Sequence, residues 1–254
     1  TYRRDLGDGL ILRWSTVEDT EKIAQLCSMV FRSKADEPAN EFMLHWIRRL
    51  MRGDHPVMGS GDYGVVEDTS KENRPVVACT CLWRHTWEYE GVPFVIGRPE
   101  VVASDPAYRN RGLIRALFEM VHARSEAGGH LAQAITGISY FYRQFGYEYA
   151  LDLGGKRVTY LSLIPKLKDG ESEAYTLREA TTEDIPLLME YYNHRRSESI
   201  VWADISEDYW RYLLEGWKSQ PEQNKTDSLL IVIDATGAPQ GYVATMAKRR
   251  DKSL

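Results

Sequence analysis

Residues 101–117, VVASDPAYRNRGLIRAL, gather Arg109, Arg111 and Arg115 around Gly112, where a β-rich run gives way to an apolar helix. The start of a helix presents unpaired backbone N–H groups and a partial positive charge, which suits phosphate oxygens. Glycine has no Cβ to block a close approach. Arg109 and Arg111 can add charge-assisted hydrogen bonds. The stretch therefore reads as a cradle for a pyrophosphate. Basic turns with a glycine are common, so a solvated helix start with surface arginines stays open on these residues alone.

Other groups with chemical potential carry less. Phe141-Tyr142-Arg143-Gln144-Phe145-Gly146-Tyr147 is an aromatic patch that holds a phenol, and Glu100 lies on the strand that leads into the cradle. A core tyrosine and a strand-edge carboxylate are the plainer alternatives. GSGDYG at 59–64 precedes a strand instead of following one, so it is a flexible loop and not a dinucleotide fingerprint. Cys79 and Cys81 alternate with Thr80 and face one side of a strand. With no second cysteine pair or histidine spacing beside them, no metal site is expected. His122 and His130 flank the helix after the cradle and read as solvated or capping. His45, Trp46, Trp83 and Trp87 are candidate cleft-wall residues, with core or core-edge packing the plainer role.

The elements that must position these groups follow from periodicity. Residues 10–13 form a strand, and 17–31 and 39–51 have helical apolar spacing. Strands are expected near 63–67, 75–84 and 94–104. A helix runs from about Arg111 to Ala127, ended by Gly128-Gly129. A strand at 131–135, a short helix near 139–145 and two strands around a Gly154-Gly155 turn complete the first half. An internal repeat organises the rest. LRWSTVED at 12–19 returns as LREATTED at 177–184, each with Thr as N-cap and Asp three residues on. The strand–turn–strand at 62–82 has an echo at 228–245. The reading is an α/β (α+β) chain: a mixed, mostly antiparallel sheet flanked by helices, then a partial second repeat. The expected divisions are a catalytic domain at 1–164, a linker at 165–174 and the start of a second domain at 175–254. The second copy stops early, which suggests a longer parent chain or a decayed repeat.

Bulk properties narrow the partners. The 254 residues carry a net charge of −5, against a general nucleic-acid binder. No apolar run approaches the ~20 residues of a membrane helix. Three cysteines are too few for a disulfide framework, so a soluble protein of the reducing cytoplasm is expected. The initiator Met is missing, which suggests a trimmed start.

The cradle and FYRQFGY together resemble the GNAT superfamily of acyl-CoA-dependent N-acetyltransferases. Its loop reads Q/R-x-x-G-x-G/A after a strand. Arg109 and Gly112 fill the first and fourth positions, whereas Ile114 departs from the sixth. An R-x-R-G-like loop and the FYRQFGY segment are most similar to the enhanced intracellular survival (Eis) type. That type has tandem acetyltransferase-like domains, the second degenerate. The resemblance spans about residues 10–164 and 175–245. It implies acetyl-CoA as co-substrate and a primary-amine acceptor, a small molecule or a lysine. The backbones of Val102, Ala103 and Ser104 would meet the pantetheine arm. Arg109, Asn110, Arg111, Gly112, Leu113 and Ile114 would hold the pyrophosphate. Tyr142 matches the family's general acid, and Glu100 stands where some relatives place a base acting through water. In the Eis type the C-terminal carboxylate also reaches the active site, which leaves the base open. A homo-oligomer is a further implication. A non-catalytic acyl-CoA-binding or regulatory module is the alternative reading.

Overall fold

The structure, a computed structural model, describes residues 2–138, 140–151, 161–196, 198–218 and 227–246. Two compact units divide the chain. The first is Thr1–Ala150 with Val201–Asp204, and the second is Leu151–Ile200 with Ile205–Leu254. The strands expected around Gly154-Gly155 lie outside the described residues.

In the first unit, β1 (Arg3–Asp5), β2 (Leu10–Trp14), α1 (Thr20–Val30), α2 (Glu41–Leu50), β3 (Tyr63–Asp68), β4 (Val76–Tyr89), β5 (Val92–Ser104), α3 (Leu113–Ala127) and β6 (Ala132–Gln133) follow one another. The strands make one sheet in the order β1-β2-β3-β4-β5-β6. All neighbours are antiparallel except β5 and β6, which run parallel. Parallel strands need a crossover, and α3 supplies it. β8 (Val201–Ala203) also belongs to this sheet, antiparallel to Trp87–Tyr89 of β4, although it falls in the span read as the second domain.

Helices cover both faces of the sheet. Ile23, Cys27, Ile47 and Leu50 of α1 and α2 close over Val65, Cys79, Cys81, Trp83 and Val101. Leu113, Ala116, Leu117 and Met120 of α3 close over Leu10, Leu12, Val66 and Val77. A strand covered twice reads as a continuous apolar run, which is why VVACTCLW in β4 does not alternate. Leu117 is fully buried, and truncating such a side chain to Ala costs roughly 2–5 kcal/mol. Cys79 and Cys81 do share one face, and Cys27 Sγ lies 3.7 Å from Cys79 Sγ, all three as free thiols.

Two buried carboxylates, Glu67 and Asp62, are paired with cations, which offsets the cost of burying charge. Glu67 meets Arg13, Lys22 and Arg74. Asp62 meets Arg84 and Arg124. The latter pair ties the GSGDYG loop to β4 and α3.

The second unit runs β7 (Tyr175–Glu179), α4 (Ile185–Arg196), α5 (Glu207–Lys218), β9 (Asp227–Asp234) and β10 (Pro239–Met246). Its sheet order is β10-β9-β7, all antiparallel. Its core gathers Ile185, Leu188, Trp210, Leu214, Leu229 and Ile231.

Candidate active site

β5 leaves an open edge where the sequence places its backbone contacts. It pairs with β6 only at Ile96 and Gly97. Beyond Gly97, β4 alone is hydrogen-bonded to it among the described strands. Asp105 N–H is turned to β4, donating to Val77 O at 2.9 Å. By strand alternation the backbone groups of Ser104 and Val102 face the open edge, and those of Ala103 face β4. A register break accompanies the opening. Cys79 opposes Ala103 and Cys81 opposes Glu100, so Val101 and Val102 share Thr80 as partner. Thr80 Oγ1 donates to Glu100 O at 3.0 Å. Val101 has φ +54°, a left-handed value for a β-branched residue, held by its buried side chain. Strain of about 1–3 kcal/mol at one residue marks positions that the surrounding packing over-determines. Nothing in the sequence signals it, because valine disfavours that conformation.

The strand ends in a tight turn. Asp105 Oδ1 accepts from Ala107 N at 2.8 Å and starts a short 3-10 turn at Pro106–Tyr108. The Tyr108 phenol donates to Asp68 Oδ2 at 2.6 Å, which pins the loop to the end of β3. Arg111 lies 5.1 Å over the Tyr108 ring. Asn110 (φ +62°) and Gly112 (φ +73°) are both left-handed. No protein atom lies within 4 Å of a Cβ built on Gly112. The positive φ, and not crowding by the protein, therefore requires glycine there. The first bond of α3 runs from Ala116 N to Gly112 O at 3.0 Å. The amides of Leu113, Ile114 and Arg115 thus have no acceptor within the helix. The Leu113 side chain is buried, and Ile114 packs against the same core. The larger sixth-position residue is turned inward, and both residues offer the turn only their amides. Arg109, Asn110 and Arg111 are exposed. The helix begins at Leu113, two residues later than the sequence suggested, because the left-handed Gly112 must precede it.

Against α3 lies the aromatic segment. Phe141–Phe145 is a 3-10 turn stacked on α3 through Phe118 and Phe145, with ring centroids 4.5 Å apart and planes 7° from parallel. Tyr142 contacts Phe118 at 5.8 Å and Phe141 at 5.1 Å. Burial raises its phenol pKa, and Glu100 raises it further, so the two candidate groups share one electrostatic environment. The Glu100 carboxyl is also raised, by burial, with Arg98 acting against it. Arg98 lies 2.6 Å from Glu100 Oε1, with its guanidinium 5.6 Å over Trp83.

Several groups stand elsewhere than the sequence suggested. His122 is neither solvated nor a cap: it is half-buried against Phe118 and lies 3.1 Å from the Tyr147 hydroxyl. Tyr147 donates to Gln133 Oε1 at 2.6 Å, a link absent from the sequence reading although Tyr147 lies within FYRQFGY. His130 follows the end of α3 and pairs with Ser125 Oγ at 2.9 Å. His45 is exposed on α2, so it is not a core-edge residue. Trp83 is buried against Trp46 and His55, at 6.3 and 5.1 Å. Among the described residues no His, Cys, Asp or Glu cluster suits a metal ion, and no helix is long and apolar enough to cross a membrane.

The sequence profile of the acetyltransferase (GNAT) domain family matches residues 12–150. No curated protein sequence matches the chain. Among solved structures it is similar to a probable N-acyltransferase of unknown function from Enterococcus faecalis V583. The TM-score is 0.62 and the identity 16%, covering 96% of this chain and 55% of that one. It is similar to Saccharomyces cerevisiae N-myristoyltransferase with bound myristoyl-CoA, with TM-score 0.67, identity 13%, and coverage of 100% and 65%. It is also similar to a GCN5-related N-acetyltransferase from Kribbella flavida, with TM-score 0.58, identity 18%, and coverage of 92% and 53%. The chain thus spans between about half and two thirds of these proteins.

Proposed function

The chain belongs to the GNAT acetyltransferase family, and from that premise we propose that it is an acetyl-CoA-dependent N-acetyltransferase. One observation carries the reading. The open edge of β5 runs directly into the Asn110–Gly112 turn and the start of α3, with Glu100 and Tyr142 beside it. Val102 and Ser104 would meet the pantetheine arm. The amides of Gly112, Leu113 and Ile114, with Arg109, Asn110 and Arg111, would hold the pyrophosphate. The acceptor nitrogen attacks the thioester carbonyl, the C–S bond breaks, and an amide forms. The proton leaving nitrogen passes toward Glu100, and the thiolate takes one from Tyr142. A phenol raised by burial stays protonated at neutral pH and serves as an acid.

The Eis-type reading, with a degenerate second acetyltransferase-like domain, has support in the second unit. That unit repeats the strand, helix, helix and hairpin order and the Arg–Thr–Asp bonds at its start. Three buried free thiols support a cytoplasmic setting.

A second reading, a non-catalytic acyl-CoA-binding or regulatory module, is favoured by the Glu100 carboxylate being engaged by Arg98. Release of free CoA thiol from acetyl-CoA, beside a binding titration, decides between them. The transferase releases thiol only with an amine present. The Tyr142→Phe variant is expected to keep acetyl-CoA binding and lose turnover by about 10²–10⁴-fold. Unchanged turnover removes Tyr142 from the mechanism, and binding without release in the wild type supports the module.

A further inference from the structure

Arg98 and Glu100 belong to the same face of the sheet. Their partners across the ladder, Trp83 and Cys81, both point into the α1–α2 core. The guanidinium is held twice, over Trp83 at 5.6 Å and against Glu100 at 2.6 Å. Trp83 is itself fixed by Trp46 and His55. The Arg98 side chain is 29% exposed and that of Glu100 16%.

The charges around this pair can be summed among the described residues. Cys81 acts on Glu100 from β4, and Tyr142 from the segment after β6. Burial keeps the Cys81 thiol and the Tyr142 phenol protonated. His85 faces Arg98, and His55 faces Arg49, Asp54 and His85. Burial holds both histidines at about 4, so they are neutral at physiological pH. Arg98 and Glu100 cancel, as do Arg49 and Asp54 beside His55, so these described groups carry no net charge.

Resting on the transferase reading above, we infer that the acceptor is a weakly basic primary amine, an α-amino group such as a peptide N-terminus, in preference to a lysine side chain or a polyamine. An ammonium entering here finds the carboxylate already neutralised. It must displace Arg98 from Trp83 and Glu100, or give up its hydration for nothing. A neutral amine bears neither cost. At pH 7.5 roughly a quarter of α-amino groups are neutral, against about one in a thousand lysine side chains.

Two peptides of one sequence test this. One has a free N-terminus and an acetylated lysine, and the other an acetylated N-terminus and a free lysine. kcat/KM for CoA thiol release is measured for the whole chain at pH 7.5 with saturating acetyl-CoA. The expected preference for the α-amine is at least about tenfold. Arg98→Gln uncovers the carboxylate and is expected to lower that ratio several-fold, whereas Arg98→Lys keeps it. A ratio near one or below in the wild type overturns the inference. So does an unchanged ratio in Arg98→Gln when acetyl-CoA affinity and Tm match the wild type. If Arg98→Gln unfolds, the wild-type ratio alone decides. Acetyl-CoA binding without release from either peptide overturns this inference, and thiol release with a small-molecule amine then separates that failure from failure of the transferase reading.

Discussion

Arg13, Thr16 and Asp19 in the first unit make the same bonds as Arg178, Thr181 and Asp184 in the second, in different surroundings. Each arginine grips its aspartate with both terminal nitrogens, at 2.7 and 2.8 Å in the first and 2.8 and 2.6 Å in the second. Each also donates to the carbonyl of the next residue at 3.2 Å. Each aspartate accepts from the threonine amide, at 2.9 and 2.8 Å, and closes a capping box. The difference lies in what lies beyond. β2 is flanked by β1 and β3, and Arg13 also reaches the buried Glu67. Among the described strands β7 pairs only with β9, and the Arg178 side chain is 47% exposed against 20% for Arg13. Local sequence writes the bonds, and the packing around them sets their energetic weight.

The strongest way to break the comparison is to remove each acid. Asp19→Ala leaves a partly buried guanidinium short of a partner and is expected to destabilise the first unit by about 3 kcal/mol or more. Asp184→Ala removes a cap and a more exposed pair, about 1 kcal/mol. Urea unfolding of both variants checks this, and equal losses would show that burial does not set the weight.

Acid sharpens it next. Burial depresses His55 and His85 in the first unit to about 4, below the unfolded value near 6.5. Their contribution is complete above pH 6.5 and is lost as pH falls from 6.5 to 4, on the order of 3 kcal/mol for each histidine. In the second unit Arg178 holds Asp184 at about 2, so its contribution is lost only as pH falls from about 4 to 2. Hydrogen exchange resolved by unit should show the first unit loosening at pH 5 while the second keeps its protection. Simultaneous loosening contradicts the assignment.

The smallest effect separates turn geometry from ligand binding. Gly112 and Gly237 have φ of +73° and +86°, both with open space around a Cβ. Alanine at either is expected to cost about 1 kcal/mol. Only Gly112→Ala is expected to weaken acetyl-CoA binding, as isothermal titration would read. Equal affinity in both variants removes the turn from the proposed pyrophosphate site.

Much of this was legible in the chain because it is local. The helical spacing of 39–51, the strand–turn–helix at 99–127 and the Thr–x–x–Asp caps involve neighbours in sequence, and each element is present, with α3 starting two residues later than its spacing suggested. The Thr–x–x–Asp spacing makes Asp19 and Asp184 legible as capping residues, but not their bonds to Arg13 and Arg178, although both arginines recur in the repeat. The arginine six residues before each aspartate was the available signal. The Arg98 grip on Trp83, the Tyr108–Asp68 bond and the His122–Tyr147–Gln133 link were not legible. They join residues brought together by strand pairing and helix packing.

By itself the sequence determined which residues cap helices, that a glycine stands at the mouth of α3, and which faces turn apolar. These are set by backbone sterics and hydrogen bonds within a few residues. Only the tertiary structure decided that β5 parts from β6 after Gly97, that Val101 is held left-handed, and that Arg98 shields Glu100. Those outcomes depend on which strands pair and on what is packed above them. A side chain's neighbours across a sheet are fixed by closing the whole sheet, not by its own place in the chain.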